Sequence, residues 1–558
     1  MNFYQEDKHF QNLMKKYLKP EFLAWAESEL EDFGRECGTT IDERARHTDR
    51  EGQPKLIKYD RFGEDVSEVW VNEGYKQTVE ETYNRGIVGY VHKEIPDLGT
   101  KGNYMYSYAQ GYLLSQTEPG FYCPVTLTMA TAYLLEHYAD DDIKEKFLPH
   151  VISTGEKELY EGATFLTERQ GGSDVGANET KAVPNGDHYE LFGEKYFASN
   201  AGMCGVAMVL ARMEGAPDGT KGLSLFAVPW RKEDGSLNGI SIRRLKDKLG
   251  VKAVPSAEVV FDGARAYLVG TPSKGIYYMM EALNLSRVCN AIASIGIMRR
   301  AFVEAKEYAF RREAFGNRLA DYPMIKDTLT RLAVKQEVET SAVFSLVDLF
   351  DKVMNVDSSA SQEEMVLNRL LIAVLKKETA EESIHFAHEA IEMHGGNGFI
   401  EDFVTPRLLR DAQVLTVWEG TANILGLEVL RLMTKFKSHE LFVEKMEAEL
   451  DGLPLNLKTL AEPAARGLQK VKELGEFLMA SAADVQTYHS KRMAKLISDV
   501  FESVTVLIEA SAGSERDRMK AEIFLEDTWQ KELLDKEMKS VRYFDEIVCW
   551  KKAGKAQV

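Results

Sequence analysis

The sequence predicts an α+β protein of several domains: an N-terminal helical domain, a middle β-barrel or β-sandwich domain, a C-terminal four-helix bundle and a helical extension. Three observations carry this expectation. The chain has 558 residues, more than one hydrophobic core ordinarily organises. Its 44% apolar and 28% charged residues are those of a globular protein. Its hydrophobic period changes from helical to strand-like near Leu159 and back again after Gly275. The expected boundaries are 1–158, 159–275, 276–435 and 436–558.

Up to Glu158, "EFLAWAESELEDFGREC" and "VTLTMATAYLLEHYADDDIKEKFLPHV" place apolar residues at steps of three and four. Between them, "PKLIKYDRFGEDVSEV" and "KEIPDLGTKGN" read as connecting loops. The middle segment holds short β-branched and aromatic runs, "HYELFGEKYFASN", "VAMVLARM", "LSLFAVPW", "ISIRRL" and "SAEVVFD", with turn residues between them. "VPNGDHYELFG" is a hairpin signal, because Asn-Gly supplies the positive φ of a tight turn. After Gly275 the helical patterns are long, and a bundle is their natural packing. The extension from Phe436 mixes charge signs, and its tail "KKAGKAQV" is expected to fray.

The formal net charge of -19 repels nucleic acid and acidic membranes over the surface as a whole. Five cysteines stand far apart with no CxxC pair, so neither a zinc site nor a disulfide framework is suggested. A reducing compartment fits best. The start, "MNFYQEDKHFQNLMKKYL", lacks the apolar core of a signal peptide. No run approaches the roughly 20 apolar residues of a membrane span. The expectation is a cytoplasmic protein.

Chemistry-bearing residues fall in three motifs. In "TFLTERQGGSDVGANETKA", Gly171, Gly172 and Ser173 form a turn whose N–H groups can meet an anion or a ring edge, or form a plain surface turn. In "GEKYFASNAG", Phe197 and Ser199 stand two apart on a strand and share a face. They can stack on and bond a flat heterocycle, or simply fill a β core. The third group spans "RREAFGNRL" and "IEMHGGNGFIEDFVTPRLLRDAQVLTVWEGTANI". Arg312 can fork onto a pyrophosphate. Gly395 and Gly396 permit close backbone approach. His394 has no ligand-type neighbour in sequence and reads as structural; no metal is expected. Glu419, beside the wide Trp418 and before Gly420, is placed for desolvation, which raises a carboxylate's pKa toward that of a general base. On those residues alone, a helix start with Thr421 as N-cap and Glu419 as a surface acid is the simpler reading.

Taken together and in this order, the motifs resemble those of the acyl-CoA dehydrogenase flavoprotein family, from about Tyr75 to Met433. "LTERQGGSD" resembles the family's "TEPGxGSD" flavin-edge loop, with Arg169 and Gln170 for Pro-Gly. "KYFASN" resembles "xWITN", with Phe197 for tryptophan and Ser199 for the threonine that bonds flavin N5. "REAFG" resembles "RxxFG", whose arginine reaches FAD phosphates across a subunit interface. "WEGTANI" resembles "YEGTSQI", whose glutamate takes the α-proton of an acyl thioester while the β-hydrogen leaves as hydride. The resemblance therefore implies FAD as cofactor and Glu419 as catalytic base. It implies that Phe165, Thr167, Gly172, Ser173, Phe197 and Ser199 contact FAD. So, by the same match, do Arg312, Ala314, Phe315 and Leu319, then Glu392, Gly395 and Gly396, then Thr421 and Asn423. It implies Ser173, Arg287, Trp418 and Gly420 at the acyl-CoA substrate. An electron-transfer flavoprotein as acceptor and a homotetramer built as a dimer of dimers are implied with them.

The chain departs from the pattern in places. Glu392 and Pro323 replace frequent glutamines, "KLGVKAVPS" lacks features of "KxGxRxS", and Asn284 stands for an aspartate near pantetheine in some members. Ser286 stands where some branches carry the base, and a serine cannot serve unaided. These departures, the long N-terminus and the extension resemble the alkylation-response (AidB-like) branch, which binds FAD and DNA and has weak dehydrogenase activity. DNA binding needs a concentrated basic surface. The acidic chain and the mixed-sign extension favour the dehydrogenase over a DNA-binding flavoprotein.

Overall fold

The computed structural model describes residues 1–355, 358–530 and 535–551. The tail from Lys552, part of the segment expected to fray, lies outside the described residues. The chain forms two compact units, one of residues 1–8 and 18–289, the other of 9–17 and 290–558.

The first unit begins with helices, among them Pro20–Cys37, Glu73–Asn84, Tyr104–Ser115 and Pro119–Tyr138. Tyr104–Ser115 is buried along its whole length, including its polar Ser107, Gln110 and Ser115. The segment expected to be a loop after Pro54 is instead an antiparallel hairpin, Lys55–Tyr59 paired with Asp65–Trp70. Charged residues hid its period of two. Its turn is closed by the Asp60 carboxylate, which accepts from the Phe62 and Glu64 amides, and by Gly63 at φ 85°. "KEIPDLGTKGN" likewise holds a two-residue ladder, Glu94–Ile95 on Thr100–Lys101.

The β part of this unit is a seven-stranded sheet. Strand Leu223–Pro229 pairs with both Val206–Met213 and the end of Ser256–Val269. Ser256–Val269 pairs with His188–Ser199, which pairs with Lys181–Asn185, which meets Val206–Met213 in parallel. Pairing thus runs round a closed ring of five strands, as in a barrel, with Gly162–Phe165 and Ile240–Leu245 each paired to one strand of it. The Asn-Gly hairpin forms as expected, with Asn185 opposite His188 and Gly186 at φ 63°.

In the second unit, helix Gln362–His394 packs against both Pro323–Met354 and Ala422–Phe436, and Tyr308 of helix Gly275–Arg311 lies against its last residue, His394. Gln362–His394 starts with a reciprocal cap between Ser361 and Glu364. The extension adds Ser438–Asp451, Leu455–Met479, Ala483–Ala512 and Glu515–Trp529. Buried charges tie it to the bundle. Glu337 accepts two bonds from Arg516, at 2.6 and 2.9 Å, and Lys520 stands 3.5 Å away. Burial pushes the Glu337 carboxyl up, but Arg516, His9 and Lys520 together hold it well below the usual range. Lys335 meets Glu502 of the extension at 2.8 Å and also Glu339 and Glu378 of the bundle at 2.8 and 3.1 Å, and burial beside these acids pushes the Glu502 carboxyl up to about 7. The extension is therefore part of this unit's interior, since breaking such pairs strands a charge.

Within the first unit, Glu161 is buried and accepts a bond from the Tyr83 hydroxyl at 3.0 Å. Burial without a cation among the described residues lifts its carboxyl to about 7, against bonds from Tyr83 and Asn200 that lower it. A raised carboxyl stabilises the fold fully below the unfolded value near 4.5 and loses that contribution as pH rises through about 7. Glu161→Gln keeps the bond and removes the proton. We expect its melting temperature relative to wild type to rise between pH 5.5 and pH 8, by the equivalent of about 2 kcal/mol; a pH-independent difference contradicts this.

Candidate active site

The residues expected to bind cofactor and substrate fall on both units. In the first, strand Gly162–Phe165 leads into the turn 167–174. Phe165 is buried, so any contact it makes with a ligand runs through its backbone. The turn closes tightly: the Gly171 amide bonds the Glu168 carbonyl at 3.1 Å, and Gly171 takes φ 140°. A Cβ on Gly172 would stand 2.5 Å from the Thr167 hydroxyl, which explains glycine there. Gly172 and Ser173 are exposed.

Beneath the turn lies an ion pair that sequence reasoning missed. Lys195 and Glu168 are both buried and meet at 2.7 Å. Glu168 also accepts from the Thr180 hydroxyl and the Glu179 amide, both at 2.6 Å, and Lys195 donates to the Leu210 carbonyl at 2.9 Å. Burial pushes the Lys195 ammonium down to about 8, against the pull of Glu168. Burial pushes Glu168 up, yet the lysine and its other donors hold it below the usual carboxylate range. Both partners are charged at neutral pH. They fasten the turn to strand His188–Ser199, and the Tyr196 amide bonds the Thr167 carbonyl at 2.9 Å.

On that strand, Tyr196 and Phe197 together face Glu258 of the neighbouring strand, a bulge that re-aims side chains. Phe197 is 53% exposed, which is unusual for a phenylalanine on a barrel strand. The Lys246 ammonium stands 4.5 Å from its ring centre and 3.4 Å from that of Tyr196, and pairs with Glu258 at 3.0 Å. Ser199 is half-buried, its hydroxyl 3.3 Å from that of Ser256. Arg287 and Ser286 are buried in helix Gly275–Arg311, with an Arg287 N–H donating to Asn284 at 3.3 Å.

In the second unit, Arg312 precedes a small hairpin, Glu313–Ala314 on Asn317–Arg318. Arg312 is exposed and makes no ion pair among the described residues. Phe315, at the hairpin tip with φ 52°, is 97% exposed. The Leu319 amide bonds the Arg312 carbonyl at 2.9 Å. Glu392 is exposed, its carboxylate 3.6 Å from the His388 Nε2, beyond hydrogen-bonding distance. Gly395 and Gly396 follow in a 3-10 turn, and a Cβ on either would meet nothing within 4 Å. His394 is buried against Tyr308, its Nδ1 2.7 Å from the Ala390 carbonyl.

Trp418, Glu419 and Gly420 form the turn between helices Thr405–Leu415 and Ala422–Phe436. All three are half-buried. Glu419 has φ 60° and Gly420 φ 108°. Thr421 occupies the N-cap position, but its side chain makes no capping bond. Thr421 and Asn423 are exposed. Two buried side chains bind the turn's carbonyls: Asn290 donates to Leu415 at 3.2 Å, and Lys376 to Gly420 at 2.7 Å.

Comparison with known proteins places this arrangement. Residues 1–155 match the adaptive response protein AidB N-terminal domain. Residues 163–264 match the acyl-CoA dehydrogenase middle domain, and 273–434 its C-terminal domain. The chain belongs to the acyl-CoA dehydrogenase family. It is 29% identical to acyl-CoA dehydrogenase family member 11 of Caenorhabditis elegans, over 96% of this chain and 88% of that one. It is also 29% identical to the putative acyl-CoA dehydrogenase AidB of Escherichia coli, over 85% and 88% respectively. The crystal structure of Caenorhabditis elegans ACDH-11 in complex with C11-CoA superposes with a TM-score of 0.88 at 27% identity, covering 99% of this chain and 95% of that one.

Lys195→Met leaves the Glu168 carboxylate buried without its ammonium. We expect chemical denaturation to show a loss of about 3–5 kcal/mol, partly recovered by adding Glu168→Gln; a loss below about 1 kcal/mol contradicts the role given to the pair.

Proposed function

We propose that the protein is an FAD-dependent acyl-CoA dehydrogenase in which Glu419 removes the α-proton of an acyl-CoA thioester. The observation that carries this reading is the Glu419 turn, where a carboxylate rides on a left-handed backbone held by a buried lysine. A relative with the same fold has been crystallised with C11-CoA, which supports acyl-CoA as the substrate class.

The residues present fit FAD. Phe197 offers an exposed aromatic face one position from Tyr196, which bonds the flavin-edge turn. Arg312, without an ion pair among the described residues, suits a pyrophosphate, and the open space over Gly395 and Gly396 lets a phosphate or ribose lie against backbone. On this reading Thr167, Gly172, Ser173, Phe197 and Ser199 hold the ring system. Arg312, Phe315, Glu392, Gly395 and Gly396 hold the remainder. When bound, FAD supplies the acceptor for the electron pair of the oxidised bond.

The chain's own work is proton transfer and charge stabilisation. The α-proton of a thioester is weakly acidic, so its removal needs a positioned base and donors for the enolate oxygen. Glu419 accepts the proton at its carboxylate, and its backbone N–H donates to the thioester oxygen. Trp418 and Gly420 flank the reacting carbons, and Arg287 and Ser173 hold the thioester's carrier. The acceptor is an electron-transfer flavoprotein, and the assembly is a dimer of dimers in which Arg312 serves the partner's FAD. No helix among the described residues is long and apolar enough to cross a membrane, and the proposed location is the cytoplasm.

Glu419→Gln keeps shape and backbone N–H but cannot take the proton. We expect it to retain the flavin spectrum and bind acyl-CoA, while flavin reduction slows by about a hundredfold or more. Wild-type reduction by the variant places the base elsewhere.

A further inference from the structure

We infer that Lys376 is a positioning residue for Glu419: its buried ammonium, fixed on the bundle helix Gln362–His394, holds the Gly420 carbonyl and so sets where the Glu419 carboxylate and N–H point. The inference rests on the assignment of Glu419 as the base.

A non-glycine residue at φ 60° costs about 1–3 kcal/mol and persists only where its surroundings over-determine it. The surroundings here are two clamps. The buried Asn290 amide holds the carbonyl of Leu415, where the turn begins. Lys376 holds the carbonyl of Gly420, one residue past Glu419. Residues 416–419 are set between these two fixed points.

Lys376 is itself immobile at its base. It lies inside a 33-residue helix, and its neighbours one turn away, Ile372, Ala373 and Ala380, are buried. An ammonium at 1% exposure is expensive to bury. What lysine adds is a strong, charged donor at 2.7 Å from one chosen carbonyl. Without it the Gly420–Thr421 peptide can rotate, and Glu419 can relax toward ordinary backbone angles.

The test uses the full-length flavin-loaded protein and anaerobic stopped-flow reduction by a reactive acyl-CoA. Lys376→Met should lower the limiting reduction rate by about a hundredfold, the scale of a 1 Å misplacement, with acyl-CoA affinity unchanged. Lys520→Met, which removes another buried lysine with no bond to the turn, should lower the melting temperature without that rate loss. If Lys376→Met loses stability but reduces at the wild-type rate, the lysine is structural only and the inference fails. Should that variant not fold, Lys376→Gln, which keeps a donor on a shorter stem, should give an intermediate rate; a wild-type rate again overturns the inference. If no acyl-CoA reduces even the wild type, the base assignment fails separately. Amide exchange across 416–421 then decides: faster exchange confined to that turn in Lys376→Met supports the clamp, and unchanged exchange refutes it.

Discussion

Glu419 sits on a left-handed backbone, φ 60°, and the proposed chemistry depends on the chain holding it there. L-amino acids avoid that region because Cβ crowds the following carbonyl. Glycine would occupy it freely but carries no carboxylate. The sequence resolves the conflict with Gly420 next in the chain and with buried donors at both ends of the turn. A strained carboxylate of this kind is fixed before any ligand arrives, so less reorganisation remains for the proton-transfer step.

The same device recurs wherever the fold must hold a loop or join segments. Lys195 and Glu168 fasten the glycine-rich turn to the barrel. Arg516 and Glu337 fasten the extension to the bundle, with Lys335 and Glu502 nearby in the chain. Buried pairs of this kind seldom add net stability over a well-packed apolar core, because desolvation offsets their attraction. They do make the wrong arrangement costly, since each misplacement strands a charge. In this protein they sit at joints, where an apolar contact would tolerate sliding.

Much of the fold was legible because its periods are clean. The helices Pro20–Cys37 and Pro119–Tyr138 and the Asn185–Gly186 hairpin announce themselves through apolar spacing and turn chemistry. The hairpin Lys55–Trp70 did not, because lysine and aspartate on its faces mask the alternation. Thr421 has the right identity and place for a capping side chain, yet its hydroxyl makes no such bond. Lys376 and Lys195 escaped notice because lysine in sequence reads as a solvated residue. The signal for Lys376 was its spacing: it falls on the buried stripe shared by Ile372, Ala373, Ala380 and Ala387. Lys195 had a fainter sign, an inward-facing place beside Leu191 and Ala198 on an otherwise apolar strand face. The unpaired exposure of Phe197 is tertiary, since it arises from the bulge opposite Glu258.

On the proposed reading, this chain oxidises an acyl-CoA thioester through a bound flavin. The most direct test is anaerobic titration of the purified yellow protein with acyl-CoAs of graded chain length and branching. The oxidised flavin absorbance is read against a dithionite-reduced reference. At least one acyl-CoA should bleach the flavin stoichiometrically. A protein whose flavin dithionite reduces but no acyl-CoA bleaches would contradict it.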